Sequence, residues 1–221
     1  MSLRVLAIGE TAFPFHDFEE VGPRFEEVLG NTIELTLTTD KDALSDLDEY
    51  DVVLDYLTDS TLSDEQREGL LAFVREGNGY VGVHCAADLT STASDDPDDV
   101  LDTREEPLPE LRELLSGHFL DHPEQSEFGV GIVDDHPITA GVDDFTVFDE
   151  PYQVECDDDV SVLARMDHPD LAEYPVAWTK RYGEGRVYYL SLGHTEEVFE
   201  TDGFRSLLVN GVEWAAGMEP Q

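Results

Sequence analysis

The stretch Tyr80-Val81-Gly82-Val83-His84-Cys85-Ala86-Ala87 decides the fold. It begins with residues that are apolar and β-branched enough for a strand buried in a parallel sheet. The small residues Ala86 and Ala87 then permit a tight turn from the strand into a helix. The stretch therefore predicts one strand-to-helix unit of an α/β domain.

Further strand and helix patterns precede this stretch. Apolar runs predict strands at residues 3–9, 32–38 and 52–56, and helical patterns are present at 18–29 and after Ser63, whose spacing to Gln66 is that of a capping box. Because strands alternate with helices, we expect a doubly wound, mostly parallel sheet that is flanked by helices.

The C-terminal half has a different pattern. Strands are predicted at residues 128–133, 146–148, 160–164, 176–182 and 186–192, and Gly183-Glu184-Gly185 indicates a β-hairpin between the last two. Residues 90–109 are rich in Ser, Thr, Asp and Pro, which indicates an exposed loop rather than a linker. A closing helix is predicted at about 203–216, so residues 1–221 are expected to form a single domain.

The charge of the chain is strongly negative. The sequence has 52 Asp and Glu against 12 Lys and Arg, which gives a formal net charge of -40. We therefore expect no nucleic-acid partner and no binding to anionic membranes. Such acidity occurs in disordered chains and in folded, salt-adapted proteins, and the 40% hydrophobic and 10% aromatic content favours the folded, halophilic type.

Cysteine usage and the N-terminus indicate the cellular compartment. The two cysteines, Cys85 and Cys156, are far apart and form no disulfide framework. The N-terminus lacks the features of a signal peptide, and no apolar run reaches about 18 residues. We expect a cytoplasmic protein. The sequence does not decide the oligomeric state and is compatible with a homodimer.

Histidines follow several of the predicted strands. In an open parallel sheet, ligands bind beyond the carboxyl ends of the strands, where loops and helix N-termini converge. His16 and Asp17 follow the first strand, His84 and Cys85 follow the fourth, and His194 with Glu196 follows the hairpin. We expect these histidines to meet at one edge of the sheet.

Two more histidines lie close together in the chain. A helical turn over Gly117 to Pro123 would place His118 and His122 on one face, where they could ligate a metal. His136 and His168 each precede a proline in an acidic loop, which is typical of turns. We leave these last two outside the candidate site.

Residues 82–86, Gly-Val-His-Cys-Ala, resemble a nucleophile elbow. In such an elbow a strained turn lifts one side chain above the sheet and offers backbone N–H groups to an oxyanion. No Ser or Cys occupies the expected apex, which falls at His84. Cys85 lies one residue beyond it, where packing beneath the turn is favoured. A Cys85-dependent hydrolase with His194 as its base is the competing interpretation.

Several short motifs are spread over most of the chain. They are His16-Asp17, Val81-Gly82-Val83-His84, Gly117-His118-Phe119 with His122-Pro123, His136-Pro137-Ile138, Asp149-Glu150-Pro151-Tyr152, Pro175-Val176-Ala177-Trp178 and Leu192-Gly193-His194. In this order they resemble the motifs of ThuA-like proteins of trehalose utilisation, over about residues 3–215. That family is similar in fold to class I glutamine amidotransferases, so the resemblance implies a flavodoxin-like α/β domain.

The resemblance also bears on chemistry. His194-Thr195-Glu196 matches the late His-x-Glu of the amidotransferase triad, but the apex that carries Cys in those enzymes aligns with His84. Glutamine hydrolysis through a thioester needs a thiolate there, so we expect no glutaminase activity. We instead assign His84 and His194 as an acid/base pair, with Glu196 orienting His194.

The resemblance implies a histidine-rich pocket that takes a carbohydrate or an oxidised sugar. Substrate-binding residues would be His16, Asp17, Cys85, His118, His122, Glu150 and Tyr152. The histidines could also converge with a carboxylate on a cation such as zinc, and the sequence leaves the cofactor undecided. A non-catalytic module that binds a metabolite or a partner protein is a further alternative.

Overall fold

The computed structural model describes residues 2–30, 33–94, 96 and 99–218. The strands are β1 Arg4–Gly9, β2 Glu34–Thr38, β3 Val52–Tyr56, β4 Gly79–Val83, β5 Ser91–Ala93, β6 Leu101–Thr103, β7 Gly117–Asp121, β8 Ser126–Ile132, β9 Phe145–Asp149, β10 Gln153–Cys156, β11 Ser161–Asp167, β12 Pro175–Tyr182 and β13 Gly185–Leu190. The helices are α1 Phe18–Leu29, α2 Asp64–Arg75, α3 Pro109–Leu115, α4 Glu196–Glu200 and α5 Asp202–Ala215. Short 3₁₀ helices lie at Lys41–Ser45, His84–Ala87 and Pro137–Thr139.

The central sheet has a parallel half and an antiparallel half. Its strand order is β2-β1-β3-β4-β13-β12-β11-β8-β9. Strands β2, β1, β3, β4 and β13 run parallel, whereas the pairs from β13 through β12, β11 and β8 to β9 are antiparallel. Since α1 and α5 contribute to the core on one face, and α2 and α3 to the core on the other, the predicted doubly wound α/β class is confirmed.

Local sequence signals account for the predicted helices. The Asp17 side chain accepts a hydrogen bond from the Glu19 backbone N–H and so caps α1, which has the predicted bounds. Ser63 and Gln66 form the reciprocal capping box at α2. The predicted hairpin is present as β12 and β13, paired from Ala177 opposite Leu190 to Tyr182 opposite Gly185.

Two local predictions differ from the structure. Where a helical turn was considered for His118 and His122, His118 lies in the strand β7 and His122 directly follows it, and β7 pairs with the antiparallel strand β10 across more than 30 intervening residues. The described residues of the predicted loop at 90–109 are mostly exposed, but they include the β5–β6 hairpin, and α3 begins at Pro109; residues 95, 97 and 98 lie outside the described residues. Thr32, predicted to begin the second strand, lies outside the described residues, and β2 begins at Glu34. Among the helices described here, none is long and apolar enough to span a membrane.

Candidate functional site

Three imidazoles and one carboxylate meet above the sheet. His194 Nδ1 lies 3.2 Å from His16 Nε2 and 3.3 Å from His84 Nε2. Glu150 Oε2 lies 3.4 Å from His84 Nε2 and 3.2 Å from His194 Nδ1. All four atoms lie within 4.8 Å of one another. We call these four side chains the histidine cluster.

The topology explains why residues distant in sequence converge. His16 follows β1, His84 follows β4 and His194 follows β13, and these strands are parallel in the same half of the sheet. Their carboxyl ends therefore lie at one edge, where ligands bind in open α/β sheets. Glu150 follows β9, the last strand of the antiparallel half. The structure thus brings together the histidines that the sequence placed after separate strands.

His84 occupies the apex of the turn after β4. Its φ of 48° lies in the left-handed region, which is uncommon for a residue other than glycine and often marks functional sites. Two contacts hold it there, because its Nδ1 lies 2.9 Å from the Ser191 carbonyl oxygen and its own carbonyl accepts a bond from the Tyr189 hydroxyl at 2.7 Å. His84 therefore occupies the apex of the turn, the position that the sequence analysis assigned to it.

Cys85 points away from the cluster. It is fully buried beneath the turn, and its thiol donates a hydrogen bond to the Tyr56 carbonyl at 3.3 Å. Burial raises the pKa of Cys85 well above its ordinary value, which keeps the sulfur protonated at neutral pH. The structure therefore places Cys85 in the packing beneath the turn and not at the substrate-binding position proposed from the sequence.

Asp149 fixes the loop that carries His194. Its carboxylate accepts hydrogen bonds from three consecutive backbone N–H groups, those of Gly193 at 2.8 Å and of His194 and Thr195 at 3.0 Å. The loop passes through a φ of 136° at Gly193, a conformation that favours glycine. We missed Asp149 as a site residue, although its position at the end of a strand next to Glu150 was an available signal.

His16, His194 and Glu150 have unprotonated atoms with free lone pairs at neutral pH. Burial, followed by the neighbouring imidazoles, lowers the pKa of His16 well below its ordinary value. Burial and the charge of His84 likewise lower the pKa of His194 to about 4. Burial acts to raise the pKa of Glu150, but the contact with His84 and the other nearby imidazoles outweigh it and leave that pKa lowered. At neutral pH His16 and His194 are therefore neutral, and Glu150 is ionised.

Aromatic side chains line the space around the cluster. The ring of Tyr152 stacks on His84 with centroids 4.0 Å apart, and Phe119 lies 4.4 Å from Tyr152. His122 lies 5.6 Å from Tyr152, and its Nε2 is 3.8 Å from Glu150 Oε2. Phe15, which is 41% exposed, contacts His16 edge-on at 4.9 Å. His122 and Tyr152, both named from the sequence as substrate-binding residues, thus lie beside the cluster.

Three predicted site residues have other contacts. Asp17 caps α1. His118 lies in β7 opposite Glu155, and Arg112 is among its charged neighbours. Glu196 does not orient His194: Thr195 caps α4, and the exposed Glu196 carboxylate pairs with Arg24 instead. The carboxylates that contact the His194 side chain and its loop are those of Glu150 and Asp149.

The cluster has the donor set of a cation site as well as that of a hydrogen-bonding site. His16, His84, His194 and Glu150 each offer one nitrogen or oxygen atom, and these four atoms lie within 4.8 Å of one another. Neutral imidazoles and a carboxylate can bind a borderline cation, accept hydrogen bonds from hydroxyl groups, or take up a proton.

The comparisons with known proteins agree with this architecture. The ThuA family, described as trehalose utilisation, matches residues 4–215. A ThuA-like protein of Bacteroides uniformis is 23% identical, with a TM-score of 0.75 over 96% of this chain and 91% of that one. A ThuA-like protein of Parabacteroides merdae is 18% identical, with a TM-score of 0.73 over 100% of this chain and 92% of that one.

The same fold occurs within a larger enzyme. A β-galactosidase from Bacillus circulans sp. alkalophilus is 14% identical, with a TM-score of 0.66 over 99% of this chain but only 32% of that one. At such low identities these likenesses establish the fold alone. No curated protein sequence matches the chain. Because the family match spans nearly the whole length, the chain belongs to the ThuA family of trehalose utilisation.

Proposed function

We propose that this ThuA-family protein binds and transforms a carbohydrate, either trehalose or a related disaccharide or its keto form, at the histidine cluster. The observation that carries the proposal is the convergence of His16, His84, His194 and Glu150 at the ligand-binding edge of the sheet. The family's description as trehalose utilisation supports a role in carbohydrate use.

The residue types suit a sugar. Ionised Glu150 and the neutral imidazoles can accept hydrogen bonds from hydroxyl groups or take a proton from a carbon next to a carbonyl. Exposed Phe15, which contacts His16, and partly buried Phe119, which contacts Tyr152, can pack against the apolar faces of a sugar ring. A few directed polar groups beside aromatic side chains are typical of small-molecule sites.

The geometry also supports the absence of glutaminase activity. A thioester mechanism needs a thiolate at the elbow, and His84 occupies that position. The Cys85 thiol is bonded to the Tyr56 carbonyl and has a raised pKa. These contacts disfavour the Cys85-dependent hydrolase as well.

Ligand-induced stabilisation tests the proposal. Trehalose, maltose and their 3-keto forms would be compared with glucose in thermal unfolding, with product formation followed by NMR. A ligand at about 100 times its Kd adds about 2.7 kcal/mol and should raise the melting temperature by roughly 5–10 °C in a chain of this size. His194→Ala should abolish the shift, whereas His168→Ala, which removes an imidazole near Ser126, should retain it.

Two results would count against the proposal. If none of the disaccharides stabilises the wild type, or if His194→Ala responds as the wild type does, the cluster is not a carbohydrate site. If a disaccharide binds but is recovered unchanged, the protein is a non-catalytic binding module and the proposed enzymatic activity is wrong.

A further inference from the structure

Four distances within the histidine cluster match those of a four-ligand metal site. In a tetrahedral site with metal–ligand distances of about 2.0–2.1 Å, neighbouring ligand atoms lie about 3.3–3.4 Å apart. The contacts of His194 Nδ1 with His16 Nε2 and His84 Nε2 are 3.2 and 3.3 Å, and those of Glu150 Oε2 with the His84 and His194 nitrogens are 3.4 and 3.2 Å. Four of the six edges of a tetrahedron therefore agree to within about 0.2 Å, and the remaining two, from His16 to His84 and to Glu150, are at most 4.8 Å.

With His84 neutral, hydrogen bonds do not satisfy its contact with Glu150. His84 Nδ1 faces the Ser191 carbonyl, which can only accept, so this nitrogen carries the proton and neutral His84 presents a lone pair at Nε2. That lone pair faces the Glu150 carboxylate. His194 Nδ1 contacts His16 Nε2, His84 Nε2 and Glu150 Oε2, and because it holds at most one proton it can donate to only one of them. A cation among these four atoms would satisfy the remaining lone pairs.

The surroundings of the cluster have two further features of a metal site. Metal-binding histidines usually bond their second ring nitrogen to a carbonyl, carboxylate or similar group, which fixes the ring. His84 Nδ1 does so with the Ser191 carbonyl at 2.9 Å, and His16 Nδ1 lies 2.7 Å from the Thr58 hydroxyl. Asp149 and Glu150 also place two buried carboxyl groups side by side, a charge that a dication would balance.

We propose that His16, His84, His194 and Glu150 bind one divalent transition metal ion of the zinc type, through three imidazole nitrogens and one carboxylate oxygen. The donor set decides the class of cation, because imidazole suits zinc and its transition-metal neighbours, whereas magnesium and calcium prefer oxygen ligands. The site stands on these side chains alone and does not depend on which sugar the protein takes.

The metal site changes the roles of two residues. His84 and His194, proposed from the sequence as an acid/base pair, become ligands. Because four protein atoms fill a tetrahedral shell, a bound zinc-type ion would polarise a carbonyl or hydroxyl oxygen of a substrate by taking that oxygen as a fifth ligand. The competing interpretation is an imidazolium–carboxylate cluster, in which a proton on His84 Nε2 is shared with Glu150 and no metal binds.

Direct metal titration separates these interpretations. Protein stripped with a chelator would be titrated with Zn²⁺ by calorimetry, and bound zinc would be measured after desalting by inductively coupled plasma mass spectrometry. Excess Mg²⁺ and KCl would be present to compete with weak cation binding at exposed carboxylates, which are numerous in a chain with a net charge of -40. We expect one tightly held zinc per chain.

Matched variants assign the binding to the cluster. His194→Ala and Glu150→Gln should weaken zinc binding by more than the roughly 10- to 100-fold loss that follows removal of a residue that only orients a ligand. His168→Ala and Glu196→Gln, which change the same residue types outside the cluster, should bind zinc as the wild type does. Circular dichroism of the metal-free variants would confirm that they fold.

The outcomes are distinct from those of the sugar experiment, because zinc is measured with no carbohydrate present. If the wild type takes up no stoichiometric zinc, or if Glu150→Gln and His194→Ala retain wild-type affinity, the metal site is refuted even where a disaccharide binds. If an alanine variant fails to fold, Glu150→Gln decides, since glutamine has the same shape: zinc should raise the melting temperature of the wild type and not that of this variant.

Discussion

The carboxylate of Asp149 lies 3.0 Å from the backbone nitrogen of His194 and also binds the N–H groups on either side of it. One fully buried side chain therefore determines where the His194 imidazole stands. The neighbouring residue, Glu150, contacts that imidazole directly. The end of β9 thus supplies both a support for the cluster and one of its members.

Asp149→Asn should loosen the site without removing any proposed ligand. Asparagine is uncharged and turns an NH₂ group toward donors that need an acceptor, so at least one backbone N–H of the His194 loop loses its partner. We expect a loss of about 2–4 kcal/mol in the free energy of unfolding, measured in urea. Zinc affinity should fall roughly 10- to 100-fold.

The control for this variant is Glu197→Gln, which changes an exposed carboxylate on α4 and should leave both quantities unchanged. Wild-type stability together with wild-type zinc affinity in Asp149→Asn would show that the three N–H contacts do not fix the loop.

Cys85 should resist alkylation in the folded protein. Its thiol is fully buried and has a raised pKa, so little thiolate is available to react. Iodoacetamide at neutral pH should label Cys85 only after unfolding, as read by mass spectrometry of tryptic peptides. Cys85→Ser should bind zinc and sugar like the wild type. Rapid labelling of Cys85 in the folded protein, with loss of activity, would favour the interpretation as a Cys85-dependent hydrolase.

Asp55 should make stability depend on pH. Burial raises the pKa of Asp55 to about 6 in the folded protein, despite its hydrogen bond from the Tyr80 hydroxyl. A carboxyl group with a raised folded-state pKa costs nothing below its unfolded-state pKa; the cost grows as the pH rises from that value to the folded-state pKa and is complete above it. The loss should be about 2–2.5 kcal/mol between pH 4 and pH 7.5, from a shift of about two units.

Asp55→Asn isolates this contribution from that of the many other carboxylates. Relative to the wild type, the variant should gain stability with rising pH over that interval, as measured by urea unfolding at each pH. A difference between the two proteins that stays constant from pH 4 to pH 7.5 would mean that Asp55 does not titrate as its burial indicates.

Salt should stabilise the protein. A net charge of -40 repels itself in the compact state, and added ions screen that repulsion over a distance of about 3 Å at 1 M. The melting temperature should therefore rise as KCl is increased from low concentration to about 2 M. A melting temperature that falls over this range would contradict the hypothesis that the acidic surface is adapted to salt.

The parallel half of the sheet could be predicted from sequence because its signals are local. The apolar run of β4, the Asp17 cap of α1 and the Ser63–Gln66 capping box each fall within a few residues. The convergence of His16, His84 and His194 followed from one topological rule about strand ends.

The features that could not be predicted from the sequence depend on contacts between segments far apart in the chain. β7 was taken for a helical turn because its partner β10 lies far along the chain, and short apolar runs are ambiguous without such a partner. Glu196 was assigned to orient His194 because His194-Thr195-Glu196 matches the late His-x-Glu of the amidotransferase triad, but the carboxylate that contacts His194 is that of Glu150. The clamp of Asp149 on the His194 loop spans 45 residues and leaves no periodic pattern.

X-ray absorption spectroscopy at the zinc edge tests the metal centre most directly. For the wild type loaded with one equivalent of zinc, we predict a first shell of three imidazole nitrogens and carboxylate oxygen at about 2.0–2.1 Å, with the outer scattering typical of imidazole rings. A shell of oxygen atoms alone, unchanged in His194→Ala, would place the zinc on surface carboxylates and contradict the account.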